Sequence, residues 1–420
     1  MKILLVTEYF YPQSSGGTEL YVYNLATILQ EYEHEVNVLS VFDGDKKSDT
    51  YRGINIAYIP FNQDFRTEVI NGDKPADNTE SFTNAICKIK PDVIHFHTLT
   101  TSIGADHIIA AKQAGFKTVL TSHIASHTCI RGTLMQMGKF VCDGKVEEQK
   151  CLSCYLQLRK VPEPFCNPTA MLMRFINFPN NTAQVVKHKQ NELQKLRNAI
   201  DQLVVVSNWQ RDVFIKNGFP NQQISLCRQA VTIQKTPSEI KQKSDKLIIG
   251  FIGRATAVKG LHVLLSSLKY VPTDQLELKI AVIPTLTELD YYRQQKQHVE
   301  SLPYATWTEN LPNENINSFL QELDILCVPS QVSETGPFVV YESLAQGVPV
   351  LGSDLGGIAE LISEGKNGWL FPRQDEKYLG SLIASFITQK LEGKLLNHIE
   401  PINRSVNKLA EEMVEIYGKL

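Results

Sequence analysis

DILCVPSQVSETGPFVVYESLAQGVPVLGSD, residues 324–354, is the stretch on which the reading of the chain turns. "DILCVPS" and "PVLGSD" are short runs, apolar at most positions, of the kind that forms strands buried on both faces. Between them the pattern is helical. Pro337 suits a first helical position, where a missing N–H costs nothing, and the helix is expected to run to about Gln346. Gly347 then stops it and Pro349 prevents its continuation. Strand, helix and strand in this order make a crossover unit of a parallel sheet. Two carboxylates stand inside it: Glu334 in the loop at a strand's carboxyl end, and Glu342 about a turn and a half into the helix.

The same alternation extends in both directions. Toward the N-terminus lie "KILLVT", "EVNVLSVF", "NIAYIP", "DVIHFHT", "KTVLTSH" and "QLVVVSN"; in the second half, "KLIIGFIG", "LELKIAVIP" and "GWLFP" join the two runs already quoted. The polar stretch "QKTPSEIKQKSDK", 234–246, separates the series as a linker. The fold expected is α/β, two Rossmann-like doubly wound domains with a cleft between them, ligands binding beyond the carboxyl ends of the strands. The domains are placed at 1–235, with a cysteine-rich insertion at about 128–200, and at 246–395. The amphipathic segment 396–420 is expected to cross back to the first domain.

With 420 residues the chain is long enough for two cores. Its 42 Lys and Arg against 45 Asp and Glu, net charge −3, argue against nucleic acid as a partner. No apolar run reaches bilayer length and the N-terminus lacks a signal-peptide pattern, so a cytoplasmic location is expected. On that view the sequons at Asn180 and Asn403 carry no glycan, and the eight cysteines serve as thiols or metal ligands rather than disulfides.

The helix beginning near Pro337 offers backbone N–H groups at Gly336, Phe338 and Val339 and a partial positive charge, which suits phosphate. Carboxylates at Glu334 and Glu342 suit hydroxyls, such as the diols of a sugar and a ribose, although a helix-capping acid and a solvated one fit the spacing equally. In "GFIGRATAVKGLHVLL" a strand is followed by Arg254 and Lys259. Either alone reads as a solvated loop cation; together they suit a diphosphate leaving group.

These segments resemble the GT-B retaining glycosyltransferases of the family-4 group, which use nucleotide sugars. The resemblance spans nearly the whole chain: "SSGGTELYVYNLATIL", "DVIHFHT", "VLTSH", "VVVSNW", "GRATAVKG", and above all the two glutamates separated by seven residues and followed by "SLAQGVPVLGSDLGGIAELI". It implies that Glu334 contacts the transferred sugar, Glu342 the ribose, and Arg254 and Lys259 the diphosphate. Gly16 and Gly17 would lie against the diphosphate and acceptor, and His123 near the sugar's C6 hydroxyl. "RQAVT" at 228–232 departs from the family's Asn-Gly-Val-Asp, and "TWTENLPNE" lacks a usual Gly.

The implied reaction moves a sugar from a UDP- or GDP-sugar to a hydroxyl of a glycan, glycolipid or other acceptor, in cell-surface polysaccharide or glycoconjugate synthesis. Retention is expected by front-face substitution, without a catalytic metal. The only D-x-D match, Asp43–Asp45, reads as a turn. A catalytically idle nucleotide-sugar-binding scaffold is the alternative. His97 and His127 are acceptor-side candidates, and His95 is expected within the sheet packing. Cys129, Cys142, Cys151 and Cys154, the last two as C-x2-C, suit a structural zinc, with disulfides or an iron–sulfur cluster as alternatives and Cys166, His123 or His127 as replacement ligands. Cys87, Cys227 and Cys327 read as core residues. "AMLMRFINF", with Arg174, and the basic helix after it allow peripheral contact with an anionic membrane.

Overall fold

A computed structural model of the chain describes residues 1–14, 16–64, 75–97, 99–175, 181–232, 245–395, 399, 402 and 404–420. Two compact units result: Met1–Ala230 with Val406–Leu420, and Val231–Ser405. The linker expected at 234–246 and both sequons fall mostly or wholly outside the described residues.

In the first unit the described strands are β1 (Lys2–Val6), β2 (Glu35–Phe42), β3 (Ser48–Tyr51), β4 (Ile54–Pro60), β5 (Val93–Phe96), β6 (Lys117–Ser122), β7 (Met135–Gln136), β8 (Phe140–Val141), β9 (Gln202–Val205) and β10 (Ile224–Leu226). Eight of them form one sheet in the order β10-β9-β6-β5-β1-β2-β4-β3, parallel but for β3. β7 and β8 form a separate small hairpin. The C-terminal helix Val406–Gly418 belongs to this unit and buries Leu409, Ala410, Met413 and Tyr417.

The second unit holds β11 (Leu247–Arg254), β12 (Leu276–Ile283), β13 (Ala305–Glu309), β14 (Ile325–Val328), β15 (Val350–Ser353) and β16 (Gly368–Phe371) in the order β13-β12-β11-β14-β15-β16, all parallel. The near-continuous apolar strands are explained by burial on both faces. Leu247, Ile249 and Phe251 of β11 and Ile325 and Cys327 of β14 enter one core. The alternate residues Ile248, Ile252, Leu326 and Val328 enter the other. Each Leu or Ile so buried contributes about 2 kcal/mol.

Of the four edge strands described in the two large sheets, β16 is marked by the apolar pattern, and β3, β10 and β13 are not. "ATWTE", which overlaps "TWTENLPNE", forms β13, whose side chains are only partly covered. With one neighbour and one covered face, such a strand needs few apolar residues. No helix among the described residues is long and apolar enough to cross a membrane.

Candidate functional site

In the second unit β11, β12 and β13 succeed one another toward one edge, and β14, β15 and β16 toward the other. The connections after β11 and β14 therefore diverge, opening a crevice at the carboxyl ends where this topology binds ligands. Arg254 is the last residue of β11, and Lys259 closes the turn Ala257–Lys259 just beyond. Glu334 lies in the connection after β14. Lys259 Nζ donates to Glu334 Oε1 at 2.7 Å, and Ser330 Oγ donates to the same oxygen at 2.5 Å.

Backbone contacts hold the two connections together. Gln331 N donates to Val258 O at 2.8 Å. Gly260 has φ 76°, and a Cβ there would stand 1.8 Å from Pro329 O, so only glycine allows this approach. On the opposite side Gly357 N donates to Glu334 O at 2.7 Å, and a Cβ on Gly357 would lie 2.6 Å from Thr335 O. Arg373 Nε donates to Gln331 O at 3.0 Å. Ser330, Gly357 and Arg373 were not singled out from the sequence. The Gly-Gly pair was visible in "DLGGIAELI", but its partner is set only by the fold.

Pro337 has φ −66° and ψ 131°, extended values, so it precedes the helix instead of opening it. The helix is Phe338–Ala345, with Phe338 and Val339 in its first turn and Gln346 as its cap. Val340 N is already engaged by Pro337 O at 3.0 Å. Glu342 lies one turn into this helix.

The two acids have opposite electrostatics. Burial would raise the Glu334 carboxyl, but Lys259, Ser330 and Arg254 together hold it below its usual range, as an anion. Glu342 has no such compensation, and burial pushes it up to about 7. Near neutrality it therefore both donates and accepts hydrogen bonds, as a diol requires.

In the first unit the reversal of strand order falls between β1 and β5. His97 directly follows β5 and His123 directly follows β6. His97 Nδ1 and His123 Nε2 are 3.2 Å apart in a hydrogen bond, and the Tyr21 ring meets His123 edge-on with centroids 4.6 Å apart. Burial lowers both imidazoles, His123 to about 3, so they are neutral at physiological pH. His95 shares the face of His97, their centroids 4.0 Å apart, and its ring nitrogens pair with Tyr417 OH and Thr121 Oγ1, each at 2.7 Å. His127 Nδ1 pairs with Ser122 Oγ at 2.9 Å.

Gly16 caps the helix Gly17–Glu31. Glu19 folds back over that turn: its carboxylate accepts from Ser14 Oγ at 2.6 Å and would stand 2.6 Å from a Cβ on Gly16. A carboxylate thus occupies the face of the turn where an anion would approach. Asp43–Asp45 form a bend between β2 and β3, with Gly44 at φ 127°.

Cys129, Cys142, Cys151 and Cys154 line one small cavity. Cys166 is buried elsewhere, its thiol donating to Val161 O at 3.4 Å. Cys227 and Cys327 are core residues, but Cys87 is exposed on the helix Thr79–Ile89 and not in the core as expected: its position carries the solvent face of that helix.

Two family patterns match the chain. "Glycosyltransferase Family 4" matches residues 15–142, and "Glycosyl transferases group 1" matches residues 232–405. The chain is a family-4 glycosyltransferase of the GT-B fold. Among curated family members, AmsK of Erwinia amylovora, named as an amylovoran biosynthesis glycosyltransferase, is 22% identical over 89% of each chain. WcaL of Escherichia coli, named for colanic acid biosynthesis, is 25% identical over 49% of this chain and 52% of its own. With the Salmonella typhimurium WcaL, where 58% of the relative is covered, the chain spans little more than half of these first relatives. Among solved structures, Anabaena HepE in complex with UDP and glucose has a TM-score of 0.67 at 17% identity, with both chains fully covered. Sucrose-phosphate synthase from Thermosynechococcus elongatus has a TM-score of 0.66 at 15% identity, covering 100% of this chain and 98% of that one. At these identities the likeness is one of fold.

Proposed function

We propose that this family-4 glycosyltransferase takes a sugar from a UDP- or GDP-sugar and transfers it, with retention, to a hydroxyl of a glycan or lipid-linked acceptor in cell-surface polysaccharide synthesis. The observation that carries this reading is the union of Lys259 and Glu334 across the strand-order reversal of the second unit, with Arg254 at its edge. A cation pair beside an anionic acid suits a diphosphate joined to a polyol. The UDP and glucose bound by HepE, and the polysaccharide names of AmsK and WcaL, support the same reading.

In this mechanism Arg254, Lys259 and the start of the helix Phe338–Ala345 stabilise charge as the diphosphate departs, so no catalytic metal is required. Glu334 orients the sugar and Glu342 takes the ribose diol. Glu334 is assigned an orienting and not a nucleophilic role, its Oε1 being held by Lys259 and Ser330. The acceptor oxygen therefore forms its bond from the face that the diphosphate leaves, and its proton passes to the departing phosphate oxygen. His123, neutral, is assigned to a sugar hydroxyl, and His97 holds it in place.

Peripheral membrane contact is assigned to the helix Glu163–Phe175, whose outward face exposes Phe165, Met171 and Leu172 by 62%, 67% and 58%. The test of the function is release of nucleotide from a panel of nucleotide sugars with acceptor extract. Turnover of one donor by the wild type, and its loss in Arg254→Ala, is expected. Binding without turnover would support an idle scaffold and overturn the enzyme reading.

A further inference from the structure

Cys129, Cys142, Cys151 and Cys154 come from three local elements: the turn after the short helix Ala125–His127, the end of the β7–β8 hairpin, and the helix Glu148–Leu158. All four line one cavity of about 20 Å³, room for a single ion or water-sized body. We propose that this cavity is a structural zinc site with these four thiolates as ligands. Tetrahedral coordination by four cysteine sulfurs, with Zn–S near ~2.3 Å, fits four soft donors around so small a space.

The surroundings suit thiolates. Met137 N–H donates to Cys154 Sγ at 3.2 Å, a contact of the kind that orients a metal-bound sulfur. Arg131 lies beside Cys154, its guanidinium donating to Cys154 O at 3.2 Å and to Gln157 Oε1 at 2.6 Å. Lys150 lies beside Cys142 and Cys151 and also pairs with Asp143 at 2.5 Å. Zinc with four thiolates carries two negative charges, and Arg131 and Lys150 bring two positive ones, with Asp143 offsetting part of the second.

The helix Glu148–Leu158 is anchored to the main core of the unit through Leu152 and Leu156, but the hairpin before it has little regular structure of its own. That hairpin consists of the two-residue strands β7 and β8, beside an apolar cluster of Ala125, Leu134 and Val213. Leu134 and Met137 adopt left-handed backbone at φ 51° and 54°, conformations that persist only when neighbours impose them. A metal cross-link at Cys129 and Cys142, on either side of the hairpin, supplies that constraint.

Burial favours the neutral thiols, pushing Cys151 up to about 11. In this state no three of the described His, Cys, Asp or Glu side chains stand close enough to hold a metal. Loading requires the sulfurs to ionise and turn inward: Zn²⁺ and four thiols give the tetrathiolate complex and four protons. The site is independent of the donor-site reading, since zinc in a chain without transferase activity would leave it standing.

The test is elemental analysis of the full chain purified without chelator and then incubated with zinc. About one tightly held zinc per chain is expected. Cys151→Ser and Cys154→Ser should lower it severalfold, while the control Cys87→Ser, altered at an exposed thiol outside the cavity, retains it. Should the cavity variants not fold, cobalt exchange into the wild type decides, through sulfur-to-cobalt charge-transfer absorption and four thiols that become reactive when metal is stripped. Absence of zinc, disulfides among the four, iron–sulfur absorption, or undiminished zinc in folded Cys151→Ser would overturn the proposal.

Discussion

Replacing Lys259 by Met removes the ammonium held 2.7 Å from Glu334 and leaves the carboxylate in a largely dry setting. At an effective dielectric of ~20 the gross attraction over that distance is about 6 kcal/mol, part of which desolvation offsets. Removing one partner of a buried pair costs about 3–5 kcal/mol, because the other charge is stranded. The side chains here keep 23% and 14% of their exposure, so a loss of roughly 2–4 kcal/mol at pH 7 is expected. The pH dependence is diagnostic. In the wild type the Glu334 carboxyl is held low, so its contribution is present above the unfolded value near 4.5 and is lost as pH falls through the folded one. In Lys259→Met the hydrogen bond from Ser330 and the charge of Arg254 remain, but the largest compensation for burial is gone, so the carboxyl rises above its wild-type position and the loss relative to the wild type grows as pH rises. Urea unfolding should therefore show a penalty that is large at pH 7 and shrinks toward pH 4, and Lys259→Met/Glu334→Gln should recover most of it. A pH-independent penalty, or a double variant no more stable than the single one, would refute the reasoning.

Other outcomes follow from the same geometry. Glu342, pushed up to about 7 by burial, stabilises the fold in its protonated form, and that contribution is lost as pH rises through about 7. Glu342→Gln should flatten this fall, worth at most ~3 kcal/mol, in unfolding curves between pH 5 and 8.5. Gly260→Ala forces a Cβ against Pro329 O and into left-handed backbone, so it should destabilise by more than ~1 kcal/mol and abolish donor binding in calorimetry. Tyr417→Phe removes the hydroxyl paired with His95 at 2.7 Å and should lower urea stability by about 1–2 kcal/mol.

The interior of each sheet was legible in the sequence because strands buried on both faces must be apolar throughout, as β11 and β14 are. Of the edge strands, β16 was legible as "GWLFP", while β3, β10 and β13 were not, because an edge position permits polar residues and these three strands carry them. Arg254, Lys259 and Glu334 stand out because charges at strand ends break an apolar pattern, and Glu342 because it interrupts an apolar helix, while the roles proposed for them come from the family resemblance. Ser330 and Arg373 were hidden because loop Ser and Arg are common and their partners are distant in sequence. The Tyr417–His95 contact joins residues 322 positions apart, and no local pattern encodes it. Pro337 was misplaced by one position because proline suits both an extended residue before a helix and the first helical residue.

Titration calorimetry of the wild type and Arg254→Ala against UDP- and GDP-sugars tests the central claim most directly. The account predicts saturable binding of at least one of them by the wild type and a loss on the order of tenfold or more in the variant, as expected for a charge-assisted phosphate contact. Failure of every nucleotide sugar to bind, or equal affinity in the two proteins, would contradict it.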